Sequence, residues 1–175
     1  MARLVWSSLC GMNDLYDFVV GLKALRDYEP TPISDEDMTA ILEAARWTGS
    51  SKNLQNWSFV VVQDAQIKDR VADCGDFTVP VRNAPAVIVV VEEPGGNVFD
   101  SGRAAQNIML AASAIGVASC PITLHRSDDA AAAIGLAEGR TCRYAVTLGY
   151  PTEAAAPKKK GGRKPLDELV HWDRY

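Results

Sequence analysis

Between Ala44 and Val62 the sequence reads AARWTGSSKNLQNWSFVVV: the end of an apolar-striped helix, a polar turn, and the start of a β-branched run. The turn, Gly49-Ser50-Ser51-Lys52-Asn53-Leu54-Gln55-Asn56, gathers hydroxyls and carboxamides between two apolar elements. Ser50 and Ser51 each carry a rotatable O–H and two lone pairs, and Asn53 and Gln55 each present a donor and an acceptor on one planar amide. Such groups suit the paired edges of a heteroaromatic imide. Their hydroxyls can also donate to a phosphate, and Lys52 adds a positive charge. The same residue types equally compose an ordinary helix exit, with Gly49 as a left-handed terminator and Ser and Asn as turn formers.

The elements around this turn belong to a chain of 175 residues that is 47% hydrophobic, enough for one domain with a single core. A net charge of −4 gives no general reason to bind nucleic acid or an anionic membrane. Cys10, Cys74, Cys120 and Cys142 are scattered without metal-like spacing and read as reduced thiols of a cytoplasmic protein. The start, MARLVWSSLCGM, has too short an apolar run for a secretory signal, and no segment approaches membrane-spanning length. Residues 1–11 read as an N-terminal arm or extension ahead of a single domain over 12–175.

Leu15, Phe18, Val19, Leu22 and Leu25 recur at helical spacing and predict a first helix from Asp14 to Leu25 against the core, capped by Asn13 or Asp14. After the stop Glu29-Pro30-Thr31-Pro32, Ser34-Asp35-Glu36-Asp37 has the form of a capping box. It opens a helix with Met38, Ile41, Leu42 and Ala45 on one stripe. Ser58 to Val62 and Ala86 to Val91 are dense enough in β-branched residues to be strands buried on both faces, with a short helix over Ala65 to Cys74 between them. An Ala-rich helix follows from Asp100 to Gly116. Its Ala104, Ala105, Ala111 and Ala112 suit close helix contact, either inside one subunit or with another. Gly116 to Thr123 reads as a strand and turn, Asp128 to Leu136 as a helix, and Cys142 to Tyr150 as a strand.

Cys120 has neither base nor dense positive field beside it in the sequence, so it reads as structural rather than catalytic, and His125 reads as a turn or surface histidine. The Lys158-Lys159-Lys160-Gly161-Gly162-Arg163-Lys164 segment reads as a solvated basic run on a glycine hinge. It also permits an alternative function, a non-catalytic nucleotide- or nucleic-acid-binding module using Lys158 to Lys164.

Four stretches in order resemble the nitroreductase family of flavoproteins. Gly49 to Trp57 is similar to its PSSxNxQPW signature, departing at Gly49 and Asn56, the two proline positions. Lys23-Ala24-Leu25-Arg26-Asp27-Tyr28 resembles its RRSxRxF segment, with Leu22 and Ala24 in place of the first arginine and the serine. Asp100 to Thr123 resembles the central helix and the strand along the flavin ring, and RKPLDELVHW resembles the C-terminal segment. The resemblance implies an α+β fold of three layers, a central mixed β-sheet flanked by helices, in an intertwined homodimer with FMN at each of two interfacial sites.

It further implies that Lys23, Arg26, Arg163 and Lys164 hold the phosphate, with Lys160 as a substitute. Ser50, Ser51, Asn53 and Gln55 meet the flavin, and Pro121, Ile122 and Thr123 lie along the ring. The Thr123 backbone N–H is the candidate donor to N5, where the flavin itself carries the chemistry. The implied activity transfers electrons from NAD(P)H to a small acceptor such as a nitroaromatic or quinone by a ping-pong mechanism. No metal, nucleic-acid or membrane partner is expected. Only about seven residues precede the central helix where many relatives carry a roofing insertion, so an open pocket is expected. FAD is not expected, because no GxGxxG turn is present to receive a pyrophosphate.

Overall fold

The computed structural model describes residues 12–156 and 162–175. The arm at residues 1–11 and the Lys158–Lys160 run lie outside the described residues.

The fold is built on β2, Ala86–Glu92, in which every residue from Ala86 to Val91 is at most 1% exposed. Val87, Val89 and Val91 enter one apolar cluster while Ala86, Ile88 and Val90 enter another. A strand that alternates sides and is apolar on both must be covered on both faces. β1 (Trp57–Val62) and β4 (Thr141–Gly149) pair with it, and β3 (Ala118–Thr123) lies beyond β4, giving the order β1-β2-β4-β3. All three pairings are antiparallel, so these four strands form an antiparallel sheet rather than the mixed one the resemblance implies. β1 is an edge strand, half-buried except at Val62, and not covered on both faces as its composition suggests.

Six α-helices, α1 (Met12–Gly21), α2 (Asp35–Arg46), α3 (Ala65–Asp73), α4 (Val79–Asn83), α5 (Val98–Ala114) and α6 (Ser127–Ala133), and two short 3-10 helices at Ser51–Asn53 and Leu166–Glu168 make up the helical part of the described residues. α2 and α5 cover one face of the sheet, and α3, α4 and α6 the other, which makes the three α+β layers. The N-cap half of the capping box is made at Ser34, whose Oγ accepts from the Asp37 N–H at 3.1 Å, while the Ser34 N–H donates to the Tyr150 hydroxyl, which in turn donates to Asp37 Oδ2. α5 starts on an Asn97 cap and buries Ala104, Ile108 and Ala112 at helical spacing. Ala104 and Ala112 therefore pack inside the subunit, and Ala105 and Ala111 lie partly buried against the same core.

The first helix departs most from expectation. It stops at Gly21 instead of Leu25, and it does not bury its stripe in the core: Leu15, Val19 and Val20 are 51–54% exposed. Beyond it the chain is extended, because that path makes contacts a continued helix would forgo. Leu25 N–H donates to Ser119 O at 2.9 Å and Glu29 N–H to Tyr150 O at 2.8 Å. The Tyr28 hydroxyl contacts Leu25 O at 2.8 Å and Thr147 Oγ1 at 2.7 Å.

Its ring lies so close over Gly149 that a Cβ there would sit 2.7 Å from the Tyr28 ring atoms. Gly149→Ala should therefore cost about 1–3 kcal/mol through overpacking. Urea unfolding should give a lower midpoint with unchanged slope, and Gly149→Ala combined with Tyr28→Ala should recover part of the loss that is specific to the clash.

Candidate functional site

β3 is the outer strand of the sheet, and its register decides what its edge offers. Leu124 N–H donates to Arg143 O, so residues at even positions along β3 bond to β4. In an antiparallel pair the intervening residues turn their backbone groups the other way. Ser119, Pro121 and Thr123 thus face away from β4, as the acceptance of the Leu25 N–H by Ser119 O confirms. Pro121, which has no N–H to give, sits where a missing donor does no harm. Two residues on, the Thr123 N–H points out of the sheet.

One cleft opens along this edge, and a second lies on the α4 side of the chain. One, of about 430 Å³, lies between β3 and α5 and is lined by Pro121, Ile122, Thr123, Tyr144 and, from α5, Gly102, Ala105, Gln106 and Met109. The other, of about 470 Å³, is on the α4 side and is lined by Arg26, Asp27, Asp76, Phe77, Val79, Pro80 and Asn83. No β3 residue lines the second cleft; the strand is neighboured by the 75–78 loop, where a Cβ on Gly75 would lie 2.8 Å from the Thr123 carbonyl oxygen. Both volumes fall in the range of cofactor sites.

Arg26 reaches its cleft from the extended segment clamped by Tyr28. Its Nη1 has a long contact of 3.4 Å with Ala24 O, which leaves most of its donor fork for a ligand. Lys23 is instead exposed beside a shallow groove formed with Ser113, Gly116 and Ser119. Ile122 turns its side chain into the core, while Pro121 is exposed.

The turn after α2 is more strained than its composition suggests. Gly49 does not take the left-handed exit; Lys52, Asn53 and Gln55 instead adopt φ of 52°, 55° and 53°. A non-glycine residue in that region is costly and is held by its surroundings. Ser50 Oγ accepts from the Gln55 N–H at 2.9 Å, and the Gln55 amide returns to Asn53 O at 3.3 Å. Arg103 Nη1 donates to Gly49 O at 2.7 Å and Asn107 Nδ2 to Thr48 Oγ1 at 2.9 Å, tying the turn to α5.

These anchors lie about 100° around the helix from the cleft-lining Gly102 and Gln106. Ser50, Ser51, Asn53 and Gln55 accordingly line neither cleft of their own chain. Arg163 and Lys164 are exposed on a C-terminal segment that is exposed throughout residues 162–175. The expected site residues are thus divided among the Arg26 cleft, the β3 edge, the turn and the tail.

The sequence reading missed the 75–78 loop with Phe77, although an aromatic inside Gly-Asp-Phe-Thr-Val-Pro was a usable signal. It also missed the anchors Arg103 and Asn107, whose partners are distant in sequence. The described cysteines, Cys74, Cys120 and Cys142, are all buried, and burial pushes the Cys142 thiol up to about 11.

A three-layer α+β fold with an edge strand, a cleft between that strand and α5, and a guanidinium in a second cleft is the frame that comparison with known proteins can place. The chain belongs to the nitroreductase family, whose model matches residues 23–75 and 79–150. It is 29% identical over 153 residues to a protein of Archaeoglobus fulgidus named as a candidate NADH dehydrogenase or NAD(P)H nitroreductase, covering 81% of this chain and 88% of that one. Its fold matches the NADPH:FMN oxidoreductase of Vibrio harveyi complexed with NAD+ with a TM-score of 0.84 and 23% identity, over 93% of this chain and 78% of that one. It matches an FMN-dependent nitroreductase of Clostridium difficile R20291 with a TM-score of 0.78 and 23% identity, over 91% and 99% of the two chains.

The Tyr28 clamp that presents Arg26 has a signature in pH. Burial raises the phenol above its ordinary value of 10.0, so the folded chain keeps the proton after the unfolded chain has released it. The stability this gives is complete below about pH 10 and is lost as pH rises beyond it. Tyr28→Phe should cost about 1 kcal/mol at neutral pH. It should also remove part of the alkaline decline that urea titrations of the parent protein show.

Proposed function

We propose that this protein is an FMN-dependent oxidoreductase that uses NAD(P)H to reduce a small acceptor such as a nitroaromatic or a quinone. The observation that carries the reading is the outward Thr123 N–H on the β3 edge, beside the cleft that Pro121 and Thr123 line, with the Arg26 cleft on the far side of the 75–78 loop. A flat ring lying along that edge meets one fixed donor, and a phosphate at the Arg26 cleft meets a guanidinium whose fork suits two of its oxygens. Bound there, FMN supplies the two-electron chemistry, taking electrons from NAD(P)H and passing them to the acceptor in a ping-pong scheme. The chain's own residues bind and orient. Arg26 would hold the phosphate, with Lys23 on a separate groove adding positive charge nearby in sequence, and the Thr123 N–H, fixed by the sheet, would donate to the N5 edge.

The remaining expected residues reach the flavin from a second subunit. In this reading Ser50, Ser51, Asn53 and Gln55 of one chain, with Arg163 and Lys164 of its tail, complete the site of the other. The strained turn is held ready for that role by Arg103 and Asn107. Apolar surface left open by one chain supports a homodimer: α1 exposes Leu15 and Val19, the α5 start exposes Phe99, and the tail exposes Leu169 and Trp172. Large apolar side chains exposed on several elements suit burial in an interface. Light scattering should report about twice the 18.9 kDa chain mass, and a monomer that retains flavin would require the site to be completed by one chain.

The test of the activity is chromatographic and thermodynamic. Protein incubated with FMN and desalted should be yellow, and the chromophore released by heat should co-migrate with FMN rather than FAD. Arg26→Ala should weaken FMN binding by about 10- to 100-fold, as loss of a charge-assisted bond requires. It should leave riboflavin binding, which has no phosphate to lose, nearly unchanged. Equal losses for both ligands would place the phosphate elsewhere.

A further inference from the structure

Phe77 lines the Arg26 cleft and is 83% exposed, although it stands on a loop with little freedom to move. The loop is fixed from four directions. Thr78 Oγ1, itself buried, lies 2.5 Å from Ala72 O and 3.1 Å from Gly75 O. Gly75 N–H donates to Ala72 O, and Gly75 leaves no room for a Cβ against Thr123 O. The Asp76 N–H donates to His125 Nδ1 at 3.2 Å, and the Asp76 carboxylate accepts from Arg126 Nη1 at 2.9 Å. Arg126 in turn donates to Asp73 O through Nε and Nη2.

His125 also meets the Phe77 ring edge-on, with centroids 6.5 Å apart and planes at 67°. A large aromatic side chain normally gains stability by burial. Here a rigid mount holds one out in solvent, beside a cationic donor fork and next to the strand that carries the Thr123 N–H. That placement suits an aromatic face reserved for a flat ring.

Resting on the flavin reading above, we propose that Phe77 is a flavin-contacting residue. It forms the aromatic wall of the cleft, held in place by the Gly75–Thr78 loop and His125, so that the ring of FMN packs on it while Arg26 takes the phosphate. The loop's bonds set the ring's position before the ligand arrives, so little side-chain freedom is lost on binding. His125 acts through Phe77 and Asp76 as a positioning residue. Its Nδ1 accepts from the backbone, which leaves the ring proton of the neutral form on Nε2.

Titration of FMN into apoprotein, followed by flavin fluorescence, tests this with Phe77→Ala, Phe77→Trp and Arg26→Ala in parallel. Loss of one aromatic stacking partner should raise the FMN dissociation constant about tenfold in Phe77→Ala. Riboflavin affinity should fall by the same factor, because the wall meets the ring and not the phosphate. Phe77→Trp should keep the affinity and shorten the bound flavin's fluorescence lifetime, since an indole in contact quenches an excited flavin by electron transfer.

If Arg26→Ala weakens FMN while both Phe77 variants bind and emit as the parent does, the aromatic wall is refuted and the flavin reading stands. If the parent protein itself binds no FMN, both fail. A third result, in which Phe77→Ala leaves flavin affinity unchanged but light scattering shows loss of the dimer, would also overturn the proposal and assign Phe77 to the subunit interface.

Discussion

The constraint on which the rest depends is the two-sided burial of β2. Ala86 to Val91 leaves no polar face, so helices must cover both sides of the sheet and only the strands farther out can meet solvent. With β4 on one side of β2 and β1 on the other, β3 becomes an edge. An edge strand carries backbone donors with no sheet partner, a liability in most proteins. Here Ser119 O accepts from the extended segment after α1, Pro121 has no donor to satisfy, and the Ser119 and Thr123 N–H groups turn away from β4. Core packing thus decides, through strand order, which backbone groups stand at the edge.

The second dependency is the contact of Tyr28 with Gly149 and Thr147. It converts what would have been a helix end into an extended arm that runs beside β3 and delivers Arg26 to the cleft. Tyr28 shields its own hydroxyl while satisfying it with Thr147 Oγ1 and Leu25 O, so the arm is held by polar bonds that water does not reach easily. The absence of an arginine at Leu22 is consistent with this geometry, since Leu22 packs partly against the α2–α5 cluster and a charged side chain there would have to leave it.

Rigid mounting recurs around the candidate site. The 49–56 turn keeps three left-handed residues in place through Ser50 and through anchors on α5, and the 75–78 loop keeps Phe77 in solvent through Thr78, Asp76 and His125. In each, local strain or exposure is balanced by hydrogen bonds to a neighbouring element, the pattern expected where a group must be in position before its ligand binds. The open site follows from the short Glu93–Asn97 connection, which supplies no roof over α5. The stripe of α1 and the tail leave large apolar side chains exposed as well.

The sequence by itself determined the elements whose signals are local. The N-cap at Ser34, the β-branched run of β2, the Ala-rich α5 and the strand ending at Thr123 were all legible, because periodicity and caps act within a few residues. The Ser-Ser-x-Asn-x-Gln turn and the basic segment around Arg26 stood out by residue type. What only tertiary structure decided was direction. Leu22 and Leu25 fit a helix by spacing, yet the backbone bonds to Ser119 and Tyr150, far along the chain, draw that stretch into an extended path. β1 looked as buried as β2 and became an edge, since a strand's burial is set by how many neighbours the topology gives it and not by its own composition. The same reason applies to Thr123. Any residue type carries an N–H, and pairing register alone decides whether it is consumed by a neighbouring strand or turned outward toward a ligand.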